Sequence, residues 1–300
     1  MAPVALRDYF AHLVQQGGPE PEQYDGYNRW AHHAVGAVRD GVMSAADLEC
    51  LLDSAGDATS SPRTMQGFVR VKPHGYAGDF EVIDRIYQNW LSPDPSLVKW
   101  DRFFHAQAAP RAVRNRKTYF HAWLREAETS RHDGLKELRL FNVGSGPARD
   151  VCEYFESTPE SRIICTCVDH DSNAIAHAST VCASQSDKVH FQQANALKFR
   201  PIVTPHFIWS AGLFDYLDDR LFAVLRRRLW RMLAPGGEIV IGNFSSANPT
   251  RAYMELGGWQ LNERDPAQLL SLAKDAGVSS SRARVEHESE GVNLFLHLEK

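Results

Sequence analysis

The segment Leu138–Asp150, LRLFNVGSGPARD, holds the residues of this chain best suited to chemistry. An apolar run of strand length ends in Asn142-Val143-Gly144-Ser145-Gly146, and a helix-compatible segment opens at Pro147 and runs to Glu156. Gly144 and Gly146 remove side chains where the backbone must bend and where a ligand must come close. Proline suits a first helical position, because its missing N–H would have no partner there. The expected turn, with Ser145 between the glycines, presents backbone N–H groups and the positive end of a helix to a polar or anionic ligand.

A dinucleotide-binding turn places a third Gly or Ala three positions after the second glycine. Here that position is Arg149, and Ala148 comes one residue earlier. The spacing Gly144-x-Gly146-x-Ala148 fits a turn for S-adenosylmethionine (SAM) better than one for a pyrophosphate, although an ordinary glycine turn between strand and helix has the same pattern. Ser161–Val168, SRIICTCV, reads as a second strand and ends at Asp169, about twenty residues beyond the turn, where a carboxylate can accept from both ribose hydroxyls. The alternative for Asp169 is a loop acid ahead of a helix capped by Asp171 and Ser172. In an open parallel sheet, ligands bind outside the carboxyl ends of the strands. That rule gathers Asp169 and His170 after the second strand, Asn195 and Ala196 after the third, and Ser210, Ala211 and Gly212 after the fourth. Asn195 could bond the adenine amino edge or be a plain loop residue, and Ala211–Tyr216 could pack on the ligand or simply connect strand to helix.

The elements that must position these groups follow from the pattern. Residues 135–300 alternate strand and helix, with strands near Glu137–Val143, Ser161–Val168, Lys188–Gln193, His206–Ala211, Gly237–Phe244, Ser281–His287 and Asn293–Leu298. Helices are expected near Pro147–Glu156, Ser172–Ala183, Arg220–Leu233 and Pro266–Ala276. The fold class is therefore α/β, a doubly wound, mostly parallel sheet whose last strand returns antiparallel through a hairpin at Glu290-Gly291. Residues 1–134 read as helices, near Pro3–Gln16, Pro21–Asp40, Ser44–Ala55, Asp79–Leu91, Ser96–Ala108 and Arg111–Thr129, with Gly56–Pro62 and His132–Gly134 as linkers. Two domains are expected: a helical lid or substrate domain over 1–134 and a ligand-binding sheet domain over 135–300. The aromatics Tyr9, Phe10, Tyr24, Tyr27, Trp30, Trp100, Phe103 and Phe104 could line an acyl pocket, but core is the better reading.

Composition narrows the class. The 300 residues carry 33 Lys and Arg against 37 Asp and Glu, a formal net charge of −4, which gives no electrostatic reason to expect a nucleic-acid partner. No apolar run reaches the 18 residues of a membrane span, and Arg7, Asp8 and His12 interrupt the first segment, so a cytoplasmic protein without a signal peptide is expected. Five cysteines without a C-x-x-C pair read as reduced and buried, with Cys165 and Cys167 on one side of their strand. Scattered histidines without metal-ligand spacing predict no structural metal.

The chain resembles bacterial class I SAM-dependent methyltransferases related to the enzymes that make 3-hydroxy fatty acid methyl esters used as quorum signals. The resemblance runs from about Thr64 to Lys300 and is carried by KPHGYAGDFEVIDRIY (Lys72–Tyr87), AVRNRKTYF (Ala112–Phe120), NVGSGPARD (Asn142–Asp150), SAGLFDYLDD (Ser210–Asp219), NPTRAYMEL (Asn248–Leu256) and GVNLFLHLEK (Gly291–Lys300). It implies a Rossmann-like methyltransferase fold with a seven-stranded sheet, SAM as cofactor, and methyl transfer to a small, lipophilic acid in signal or secondary-metabolite biosynthesis. Lys72–Asp79 groups glycines, a proline and polar side chains ahead of a helix, so Tyr76 and His74 are expected to line a substrate pocket and Asp79 to cap the helix. Arg114, Asn115 and Arg116 offer donors for a carboxylate, with Arg114 and Asn115 favoured by the resemblance, the alternative being a solvated basic face. A carboxylate acceptor needs only an orienting donor such as Arg114, Arg251 or Tyr253; a hydroxyl acceptor needs a base, and His74 is the first candidate. Asn142, Asn195 and His206 stand where many SAM enzymes carry acids. Asn142 and His206 motivate a second reading, a SAM-independent enzyme of the same fold that promotes an intramolecular displacement. A third is a non-catalytic subunit that binds a metabolite, and a homodimer or a partner protein is open in each.

Overall fold

The structure is a computed structural model that describes residues 3–131, 134–274 and 282–300. Its contacts divide the chain into two compact units, one of residues Met1–Arg111 with Asn248–Gln260, the other of Ala112–Ala247 with Leu261–Lys300. The division falls inside a helix rather than at residue 134, because that helix buries its apolar stripe with the sheet.

The sheet unit has seven strands, β1 (Leu138–Val143), β2 (Ile163–Asp169), β3 (Val189–Gln193), β4 (Phe207–Ser210), β5 (Glu238–Phe244), β6 (Ala283–His287) and β7 (Asn293–Glu299). Their order is β3-β2-β1-β4-β5-β7-β6. Neighbours pair in parallel from β3 to β5, and β7 is antiparallel to both β5 and β6. The chain reverses between β1 and β4, so the crevice at the switch point opens beside the carboxyl end of β1. Both faces are covered, which explains why β1, β4, β5 and β7 are buried nearly along their whole length, whereas the edge strands β3 and β6 are largely exposed or half-buried. Leu138, Leu140, Cys165, Trp209 and Val240 pack under α8 (Ala108–Ser130), α9 (Arg149–Ser157) and α10 (Ser172–Val181). Phe141, Val143, Ile208, Ile239 and Ile241 pack under α11 (Asp219–Met232) and α13 (Pro266–Lys274). Cys165 and Cys167 share one face as expected, with Sγ atoms 3.8 Å apart, and Cys50 is exposed. The expected helix residues 275–276 and strand residue 281, like linker residues 132–133, lie outside the described residues.

The helical unit contains α1 (Pro3–Gln15), α2 (Tyr24–Arg39), α3 (Ala45–Asp53), α4 (Asp57–Ser60), α5 (Met65–Val71), α6 (Phe80–Tyr87), α7 (Val98–Ala106) and α12 (Arg251–Leu256). The segment expected as a linker at Gly56–Pro62 holds α4, and α5 and α12 were not foreseen. Each is shorter than eight residues, too short for a 3.6-residue pattern to declare itself. Ser44 and Asp79 cap their helices as expected: Ser44 Oγ accepts from Asp47 N at 3.0 Å, and Asp79 Oδ1 from Glu81 N and Val82 N at 2.9 and 3.0 Å. Phe10, Tyr27, Trp30, Trp100 and Phe103 are fully buried core, with Phe10 stacked on Trp30 at 4.8 Å. Among the described residues no helix is long and apolar enough to cross a membrane, and no group of His, Cys, Asp and Glu could hold a metal ion.

Candidate active site

The turn after β1 is built on left-handed backbone: φ is +68° at Gly144, +54° at Gly146 and +52° at Ala148. Gly144 N and Ser145 N donate to Val168 O at 2.8 and 3.2 Å, tying the turn to the end of β2. The two glycines serve different needs. A methyl at Gly144 would stand 2.9 Å from Leu213 Cβ, whereas one at Gly146 would meet nothing within 4 Å. Gly144 is there for packing, and Gly146 leaves bare backbone facing open space. The expected helix start at Pro147 is corrected: α9 begins at Arg149, because left-handed Ala148 cannot be a helical residue and its N–H bonds Ser145 O at 3.2 Å to close a turn around Gly146 and Pro147.

Asp169 meets this turn directly. Gly146 N donates to Asp169 Oδ2 at 2.9 Å, and Asp171 N donates to Oδ1 at 3.1 Å. His170 Nδ1 lies 3.4 Å from the same carboxylate, with the ring mostly exposed. Asp171 also caps α10 by accepting from Asn173 N at 2.8 Å. Both parts of the loop-acid reading are therefore present, yet the carboxylate is turned toward the glycine turn. Two further polar groups lie there without hydrogen-bond partners, Ser145 Oγ and both carboxamide atoms of buried Asn142. Buried polar atoms are paired in most proteins, so such orphans beside open backbone and a carboxylate suit the hydroxyls and polar groups of a nucleoside.

The other expected ligand residues divide. Asn195 is exposed and organises the turn after β3: its Oδ1 accepts from Leu197 N at 2.9 Å and its carbonyl from Lys198 and Phe199 N. Ala196 is half-buried against the core under α11. Ser210 is corrected as a ligand-facing side chain. It is fully buried, and its Oγ donates to Val143 O at 2.7 Å, locking β4 to β1. Ala211 is buried where its carbonyl crosses Gly242, where a side chain would overlap it. Gly212 lies under the guanidinium of Arg116, whose Nη1 is 3.2 Å from the place a methyl would take.

Of the three adjacent donors on α8, Arg116 rather than the favoured Arg114 and Asn115 is the buried one. Its charge acts on two buried acids, Asp150 and Asp215. Its signal was available: Ala112, Val113, Arg116, Phe120, Trp123, Leu124 and Ala127 form one stripe at helical spacing, and all are buried. Asn115 falls off that stripe and is corrected as a substrate-binding side chain. Its Nδ2 donates to Glu288 Oε2 and Ser289 Oγ, both at 2.9 Å, and so ties α8 to the β6–β7 turn. Arg114 is half-buried on α8. Burial raises the carboxyls of Asp150 and Asp215 above the usual range against the opposing pull of Arg116, Asp215 to about 7. Asp215 Oδ1 accepts from Phe244 N at 2.6 Å.

His206, which stands where an acid is common, lies at the amino end of β4, where its Nδ1 accepts from Arg139 N at 3.0 Å. That is the end of the sheet away from the turn, so its departure from the pattern does not touch the ligand crevice. In the helical unit His74 Nε2 is 2.9 Å from Glu81 Oε2, and its ring packs 4.5 Å from Phe80. Burial raises the Glu81 carboxyl, but hydrogen bonds from His74 and Arg85 outweigh it and leave the group below its ordinary value. Tyr76 is half-buried in the same loop. Tyr253 is buried and donates to Gln66 Oε1 at 3.1 Å.

No family model matches the chain, and no curated protein matches it in sequence. Solved structures do. A Bordetella parapertussis protein described as a possible exported protein is 18% identical, with all of this chain and 99% of that one covered at a TM-score of 0.66. Magnesium protoporphyrin IX methyltransferase of Synechocystis, solved with bound S-adenosylhomocysteine, is 9% identical over 78% of this chain and 96% of its own, at 0.54. The CMeT domain of the citrinin polyketide synthase is 14% identical over 84% and 68%, at 0.54. The architecture is the Rossmann-like class I methyltransferase fold, a seven-stranded mixed sheet with one antiparallel strand.

Proposed function

We propose that this chain is a SAM-dependent O-methyltransferase acting on a small-molecule carboxylate. The observation that carries the reading is the Gly146–Asp169 pair: bare backbone and a buried carboxylate, 2.9 Å apart, at the switch point of a methyltransferase sheet. When bound, SAM supplies a methyl group already activated on a sulfonium. Asp169 would accept from the ribose hydroxyls, Gly146 would let the nucleoside approach, and Ser145 and Asn142 would find in it the partners they lack. His170, Asn195 with Ala196, and Gly212 follow the carboxyl ends of β2, β3 and β4, and Arg116 holds a positive charge over Gly212.

Such a displacement asks the protein to align the reacting atoms and exclude water rather than to move protons. A carboxylate acceptor is ionised near neutral pH and needs only orientation, for which Arg114 is the candidate. Tyr76 and His74 are the candidates for acceptor recognition in the helical unit. The resemblance to enzymes that methylate 3-hydroxy fatty acids supports a lipophilic acid as the acceptor and a role in signal or secondary-metabolite biosynthesis.

Calorimetry with SAM and S-adenosylhomocysteine tests the reading. The wild-type chain is expected to bind both. Hydrogen bonds to a charged group contribute about 2 kcal/mol, so Asp169→Ala should weaken each roughly thirtyfold. No heat with either ligand on the wild-type chain discards SAM, and unchanged affinity in Asp169→Ala discards this crevice.

A further inference from the structure

We infer that the flank of the sheet unit formed by α11 and the connection from β3 to β4 is a docking face for an anionic lipid surface. On α11, Arg220, Val224, Arg227 and Arg231 follow one another at steps of four, three and four, so they share a helix face. All four are exposed, while Phe222, Leu225 and Leu229 bury the opposite face against the sheet. The connection lies alongside. Arg228 donates to Phe199 O, Phe199 packs in the same core cluster as Leu225 and Leu229, and Ala234 N donates to Pro205 O at 2.8 Å. This contact brings exposed Lys198 and Arg200 to the flank of α11.

Among the described residues, none of Lys198, Arg200, Arg220, Arg227 and Arg231 forms an ion pair. Arg227 Nε bonds only a backbone carbonyl, that of Ala223, at 3.2 Å. The chain has more acids than Lys and Arg, 37 against 33, so a face of cations without acids is not a consequence of overall charge. The acids of α11 are confined to its start, where Asp218 caps the helix and Asp219 pairs with Arg264.

Apolar groups stand among these charges. Ile202 is 100% exposed at the tip of the connection, between Pro201 and Pro205, and Val203, Leu221 and Val224 are each about two-fifths exposed. Aliphatic tips set among cations along a helix about 20 Å long suit a polyanionic, penetrable surface. A protein partner would instead call for a buried central anchor fitted to a pocket. A lipid surface also suits the lipophilic acceptor proposed above, but the docking face stands whether or not that reading holds.

Sedimentation of the full chain with phosphatidylcholine vesicles, with and without phosphatidylglycerol, tests the inference. Binding is expected only to the anionic vesicles and should disappear at high salt. Each cation near the surface contributes roughly fivefold, so Arg227→Gln with Arg231→Gln should weaken binding about 25-fold. Ile202→Ser should weaken it several-fold at low salt, where the cations still hold the chain on the surface. The pair Arg7→Gln with Arg39→Gln, exposed in the helical unit, should leave it unchanged. Absent or equal binding to the two vesicle types overturns the inference, as does equal weakening by the control pair. Capture by soluble polyglutamate but not by vesicles would assign the face to an acidic protein instead. All four arginine sites and Ile202 are exposed, so unchanged thermal midpoints separate lost binding from lost folding.

Discussion

Asp215→Asn isolates one buried charge. The Asp215 carboxyl is 2% exposed, bonded at Oδ1 to Phe244 N, and raised by burial from 3.8 to about 7, against the opposing pull of Phe244 N, Arg116 and Arg264. An acid raised on folding holds its proton in the folded chain at pH values where the unfolded chain has lost it. Stability therefore falls as pH rises from the unfolded value through the folded one. A pKa unit corresponds to about 1.4 kcal/mol, so a shift of roughly three units sets a ceiling of about 4 kcal/mol on the loss. The two units between about pH 5 and pH 7 account for roughly 3 kcal/mol of it. Asparagine keeps an oxygen for Phe244 N and cannot ionise. Urea denaturation of both proteins should give similar stabilities near pH 5 and a variant more stable by roughly 2–3 kcal/mol near pH 8. Other raised acids, such as Asp101 at about 6, act equally in both proteins and cancel in the difference. A stability difference that stays constant across this range would refute the argument that burial outweighs the partners of the Asp215 carboxyl and keeps it protonated.

The two glycines of the turn should respond differently to alanine. Gly146→Ala places a left-handed alanine in open space, so it should lower stability by about 1 kcal/mol yet weaken S-adenosylhomocysteine binding more than tenfold by filling the approach. Gly144→Ala, facing Leu213 Cβ, should lose more stability, and equal effects at both positions on folding and binding would contradict the division of roles. Ser210→Ala and Asn115→Ala each remove a bond that joins elements of the sheet unit and should cost about 1–2 kcal/mol in denaturant melts while methyl transfer at saturating substrate is unchanged. A large fall in kcat for either would return that residue to the active site.

Much of the fold was legible. The strands of residues 135–300 and the antiparallel return at Gly291 were placed to within about two residues, because apolar β-branched runs bounded by turn residues are local signals. The glycine turn at the end of β1 and the position of Asp169 at the end of β2 were likewise legible, since both follow from local strand and turn signals; the strand order came only from the structure. The short helices α4, α5 and α12 were not, and neither was the place of α12 in the helical unit, far along the chain from its other helices. Arg116 was hidden for a different reason: three donors in a row, Arg114, Asn115 and Arg116, look equivalent until the burial of the stripe picks one.

The sequence alone determined which kind of sheet forms and where the glycine turn at its carboxyl edge lies, because hydrophobic period and turn chemistry act over neighbouring residues. Only the tertiary structure decided which polar side chains face that edge. Ser210 and Asn115 were claimed by bonds to β1 and to the β6–β7 turn, while Arg116, Asp150 and Asp215 were brought together from three separate segments. A side chain's partner depends on which elements lie against it, and that is set by packing across the whole unit rather than by its place in the chain.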